Sequence, residues 1–279
     1  MYRISGLFQR ALFIKKKPSG MMALETNYLL VKLATSMVSG FGVLFIYGLG
    51  NSFKSSLLWV GAFFIAQRLV VAGSLHKLAL LVQRIGYRKM MMVSVAGMAF
   101  KLWLLSLSGP ETYGYLTGAL LFGGLSLSGY TIVFHGMFLD DNDDEKIGAQ
   151  MGMITMLGRV AGIISPLFAG LLIERLGFPV MFLVAMVMLL LSSIPLWMMP
   201  KHKHKKNSYS LIKVGKMLKK YRLFCWSAFF WYITDAVQWL IWPIYMYLIL
   251  KSYSVFGAVG SLVMILNISS YHVVVDLVS

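Results

Sequence analysis

Five ionisable side chains fall well within long apolar runs, away from their ends: Lys32, Arg68, Lys101, Arg159 and Asp235. A charge in such a run is costly to hold unless it is paired, hydrated or used, so each is a candidate functional group. Four bases and one acid suggest non-covalent chemistry. Lys32 or Arg159 can hold the anionic group of a bound molecule. Asp235 can carry a proton or cation, or act as counter-ion to one of the bases. For Arg68 and Lys101, snorkelling or a structural pair is the alternative reading. Gln238 and Trp239 follow Asp235 by three and four residues and share its helical face. Covalent chemistry would need a carboxylate pair or a metal cluster at the membrane interface. The sequence offers mainly the run Asp140, Asp141, Asp143, Asp144 and Glu145 there, with His135 nearby. A calcium loop opening at Asp141 would place Lys146 where glycine belongs. His202 and His204 come without a carboxylate or cysteine beside them. Neither a metal nor a cofactor is expected.

The elements that position these groups follow from composition. Of 279 residues, 58% are hydrophobic and 13% charged, against about 25% charged in an ordinary soluble domain. The mean hydropathy is +0.74. Eight apolar segments run over 24–49, 56–80, 90–108, 113–137, 149–173, 178–199, 223–248 and 254–275. They are too long and too uniformly apolar for barrel strands, which would be about 10 residues of alternating polarity. An all-α polytopic membrane protein follows, with the lipid bilayer as its surroundings. Segment 1 carries a polar face of Glu25, Tyr28, Lys32, Ser36 and Ser39. Segment 4 carries Ser126, Ser128, Tyr130 and Thr131, and segment 7 aligns Trp231, Asp235, Gln238, Trp239 and Trp242.

Charge sets the orientation. Lys and Arg number 26 against 10 Asp and Glu, a net +16. In a soluble chain this would suggest nucleic acid, but no nucleic-acid-binding module is visible. Outside the spans, eighteen bases lie on one side, in the N-terminus and the loops after segments 2, 4 and 6. The other side holds three: Lys54, Arg175 and Lys251. The positive-inside rule makes the N-terminus cytoplasmic, and the C-terminus with it. The chain divides into a basic N-terminus (1–23), a six-span half (24–199), a basic cytoplasmic loop (200–222) and two further spans (223–279). Within that loop, Leu211, Ile212, Val214, Met217 and Leu218 stand among lysines, as an amphipathic surface helix or as a solvated linker. The lone Cys225 forms no internal disulfide.

Two motifs point to a family. After segment 2 come Gln83, Arg84, Gly86, Arg88 and Lys89, preceded by Ala79. In segment 5, Gly152, Ala161, Ser165, Pro166, Ala169 and Gly170 keep a register of small residues around a proline. The chain resembles the major facilitator superfamily. The loop motif of that family reads G-x3-D-R/K-x-G-x-R/K-R/K, and its antiporter-type motif reads G-x8-G-x3-G-P-x2-G-G. Here Ala79 and Gln83 replace the glycine and the acid of the first. The resemblance implies two six-helix halves with a solute site between them. It also implies central-cavity walls from segments 1, 4 and 7. Twelve spans are usual, and this chain ends just after Asp276, inside the second copy of the loop motif. A truncated second half, with segments 7 and 8 loosely packed, is therefore expected.

The function that follows is secondary transport of a small solute by alternating access in the cell membrane, with a proton or cation as coupling partner. The alternatives are a non-transporting scaffold remnant, or an enzyme acting on lipid-linked substrates. Topology is directly testable. In a Cys225→Ser background, cysteines replacing Lys54 and Lys205 should label from opposite faces of the membrane; labelling from one face would overturn the orientation.

Overall fold

The computed structural model describes residues 19–140, 147–197 and 211–278. The acidic run from Asp141 to Glu145, the basic N-terminus up to Lys17, and His202 and His204 lie outside the described residues. Nine helices occupy the rest: α1 Ser19–Gly48, α2 Phe53–Ile85, α3 Tyr87–Ser106, α4 Tyr113–Asp140, α5 Ile147–Ser192, α6 Ile194–Trp197, α7 Leu211–Lys220, α8 Arg222–Leu250 and α9 Tyr253–Val278. Six stretches are long and apolar enough to cross a membrane, and Tyr253–Asn267 adds a shorter apolar one. Helices are what such a chain can form, because a bilayer offers no water to satisfy a bare backbone.

Three local signals set the boundaries. Ser52 caps α2 with a reciprocal capping box to Ser55, which satisfies backbone N–H groups that a helix start leaves bare. Gly86, the glycine of the loop motif, takes φ 84° and donates its N–H to the Val82 carbonyl. A side chain would be strained there, so the α2–α3 turn depends on glycine. Gly177 sits at φ 82°, ψ 171° inside α5. With Pro179 just beyond it, α5 is two spans, 147–176 and 178–192, joined by a sharp break. This accounts for the seventh and eighth segments: α1 to α4, the two parts of α5, α8 and α9.

The core follows α1, whose Leu24, Val31, Ala34, Met37, Phe41 and Leu44 are buried at spacings of three, four or seven. That stripe packs along α5, while α3 packs along α4 and α2 against α4. Small residues allow the close approaches. The Ser126 side chain fills the space beside Gly97, and the Ser94 side chain that beside Gly129. Outward-facing apolar residues such as Leu58, Ile65 and Leu69 are exposed on α2, as a lipid-facing surface requires.

The last two spans behave differently from one another. Along α8 the buried residues are Pro243 and Ile244, and the stretch nearer Arg222 is mostly exposed, with Cys225 and Ala228 half-buried. By contrast α9 locks onto α5. A Cβ on Gly257 would strike the Pro166 carbonyl oxygen, and one on Gly170 would strike that of Tyr253. The expectation of loose packing therefore holds for α8 and fails for α9, because backbones in direct contact gain dispersion attraction that lipid tails cannot replace. Gly257→Val should destabilise the protein by about 1–3 kcal/mol, the usual cost of overpacking. Gly61, with no atom within 4 Å of a built Cβ, should tolerate alanine. Thermal unfolding in detergent would compare the two.

Candidate functional site

Polar groups on α1 are drawn inward by α4 and α5. Asn27, fully buried, donates through Nδ2 to the Ser192 carbonyl at 2.7 Å. Its Oδ1 accepts from the Tyr130 hydroxyl at 3.0 Å. One asparagine thus ties α1 to both neighbours, since each polar atom buried in a bundle needs a partner. One position on, Tyr28 stacks on Phe134 with ring centroids 4.9 Å apart. The Lys32 ammonium lies over the same Tyr28 ring, 5.4 Å from its centroid, a cation–π contact. Gly158 leaves room for the Tyr28 hydroxyl, which sits 3.3 Å from where its Cβ would be. Arg159, half-buried, is the next residue along α5. Lys32 thus lies at Tyr28, and Arg159 follows the glycine that faces the same ring.

Lys101 lies elsewhere in the bundle. It lines a cavity of about 150 Å³ between α1, α2, α3 and α4, together with Gln67, Thr35, Ser39, Phe63 and Phe64. Gly123 of α4 forms part of the wall. Gln67 Nε2 lies 2.8 Å and Lys101 Cε 3.1 Å from the position a Cβ on Gly123 would take. The missing side chain at residue 123 makes room for both.

The other candidates are dispersed. Arg68 is exposed on the outer face of α2, consistent with snorkelling. Asp235 accepts the Trp239 indole N–H at 3.0 Å, one turn further along α8, so its hydrogen bond is within its own helix. Gln238 and Trp239 are exposed. In the loop motif, Arg84 and Lys89 are exposed, and Gln83 and Arg88 half-buried. Of the small-residue motif, Ala161, Ser165, Ala169 and Gly170 are buried, while Gly152 is exposed; the Pro166–Gly170 part meets α9.

The turn between α8 and α9 is joined to α5 by further contacts. Glu174 accepts from the Ser254 backbone N–H at 2.7 Å and from the Ser252 hydroxyl at 2.9 Å. A carboxylate from α5 thereby caps the start of α9, where exposed N–H groups favour negative charge. Tyr253 stacks on Tyr247 at 4.6 Å and meets Phe178 edge-on at 5.2 Å.

Reasoning from charge missed Asn27, Gln67 and Gly123. The amides carry no charge to draw attention, although a neutral amide inside an apolar run was itself a signal. Gly123 could be recognised only once the groups above it were placed.

Fold and site together define a multi-pass α-helical membrane protein that holds cationic and polar groups inside its bundle. The family model for the Major Facilitator Superfamily matches residues 26–276, and the chain belongs to that family. A solved structure of the peptide transporter POT in complex with sulfate is similar in fold, with a TM-score of 0.55 at 14% sequence identity. The match covers 81% of this chain and 47% of that one, so the chain spans about half the length of that structure. No curated protein matches the sequence.

The Asn27 network can be tested by dissection. Tyr130→Phe removes one bond and should cost about 0.6 kcal/mol, the average for a hydrogen bond between membrane helices. Asn27→Ala removes the bonds to both neighbours and should cost more. Unfolding midpoints of the two variants in detergent, ranked against wild type, check this order.

Proposed function

We propose that the protein is a secondary active transporter that moves a small solute across the cell membrane by alternating access. On this reading residues 24–199 form one half and 223–279 the first two spans of another, joined by the basic loop 200–222. The N-terminus and the loops after the second, fourth and sixth spans are cytoplasmic. One observation supports the reading beyond family membership: among the described residues, the contacts of α8 gather at its α9 end. They run through Leu240, Pro243, Ile244 and Tyr247, beside the turn that Glu174 and Tyr253 hold. Toward Arg222, α8 stands mostly exposed. A helix held at one end is suited to tilt about it, as alternating access requires. Lys32 and Arg159 supply positive charge for a solute, and Asp235 carries the coupling proton or cation or balances a base. No covalent step is involved.

The test is uptake of a panel of small solutes by cells expressing the protein. Asp235→Asn keeps an acceptor for the Trp239 indole but cannot titrate. It should abolish uptake while leaving surface expression unchanged. Full uptake with the same pH dependence would remove Asp235 from the mechanism, leaving Lys32 and Arg159 as the groups to substitute next.

A further inference from the structure

We propose that the cavity between α1, α2, α3 and α4 binds a small amphipathic monoanion, a short aliphatic or aromatic carboxylate, through Lys101 and Gln67. The cavity lies inside the first six spans, apart from Tyr28, Lys32 and Arg159. It deepens the transport reading and rests on it for a physiological role, although binding itself is measurable without transport.

Four observations select this ligand class. The wall holds one cation, Lys101, and no Asp or Glu. Among the described residues no acceptor is hydrogen-bonded to its ammonium. A lysine serving structure alone would be expected to end on a carboxylate or carbonyl; this one has its stem pressed against Gly123, beside the Gln67 amide. The lysine stem and the amide thus meet at one point of the wall, beside Gly123. A cationic ligand would face Lys101 without a counter-charge. A dianion would bring two charges to one base and leave the second desolvated and unpaired. The remaining wall is mostly apolar, with Phe63, Phe64 and Leu127 among its members, which disfavours sugars and other ligands rich in hydroxyls. Size is the fourth constraint. The volume is about 150 Å³, and a dry apolar cavity of about that size takes up benzene. Benzoate is therefore the natural probe, with its ring among the phenylalanines and its carboxylate on Lys101.

The experiment is isothermal titration of the purified full-length protein in detergent at neutral pH. Benzoate should bind, and benzylamine, of similar shape and opposite charge, should bind at least tenfold more weakly. Lys101→Met should weaken benzoate at least tenfold, equal to 1.4 kcal/mol, and Lys101→Arg should restore most of that loss. Gln67→Leu and Gly123→Ala should each weaken it as well, and they carry the test if Lys101→Met fails to fold. Absence of benzoate binding, equal binding of benzylamine, or benzoate affinity indifferent to these substitutions would overturn the proposal. Uptake is scored separately. Benzoate binding without uptake of any solute would retain the site and reject the transport reading; uptake without Lys101-dependent benzoate binding would do the reverse.

Discussion

Where α5 meets α9, Gly170 and Gly257 bring two helix backbones to the distance at which a carbonyl oxygen occupies the space of a missing Cβ. In water, helices associate because burying apolar surface is favourable. In lipid that drive vanishes, since tails are as apolar as leucine, and close packing with well-placed hydrogen bonds must do the work. This contact attaches the last two spans to the first six, and its neighbours depend on it. It sets Ser252 and Ser254 within reach of Glu174, and Tyr253 against Phe178. It also brings Phe256 onto Phe41 of α1, with ring centroids 5.1 Å apart. The small-residue motif of segment 5 is thus an interface, and its proline contributes the carbonyl that Gly257 must accommodate.

The same physics separates the interior of the bundle from α8. Within the first six spans, polar groups find one another: Asn27 with Ser192 and Tyr130, and Ser74 with Ser128 at 3.1 Å. These pairs fix the rotation of α1 against α4 and α5, and of α2 against α4. A different rotation would leave an amide or hydroxyl unsatisfied in a medium that supplies no substitute. Few such constraints reach α8. It touches the core through Leu240, Pro243, Ile244 and Tyr247, and its aromatic stretch from Phe224 to Trp242 is exposed.

The first six spans hold charge of both signs: Lys32, Lys101 and Arg159 are half-buried and Glu25 of α1 is buried. Lys32 lies over Tyr28, and Lys101 lines its own cavity between α1 and α4. Asp235, the acid near the centre of an apolar span, is on α8, bonded to its own Trp239.

Composition, the loop motif and the charge asymmetry were enough to specify an all-α membrane protein of this family, and the spans from 24–49 to 254–275 fall on observed helices. Long apolar runs admit one backbone solution in lipid, and Gly86 marks its own turn through a positive φ, so these features are local and readable. The break at Gly177 was equally legible, as a glycine followed by a proline. What the sequence could not determine was which side chains meet. Lys101 and Lys32 look alike in an apolar run, yet one lies over an aromatic ring and the other beside Gln67 in a cavity. Asn27, Gln67 and Gly123 acquire meaning only from neighbours up to 165 residues away in the chain. Helix rotation and depth set those meetings, and both are decided by packing between helices, to which the pattern along any single helix is nearly blind.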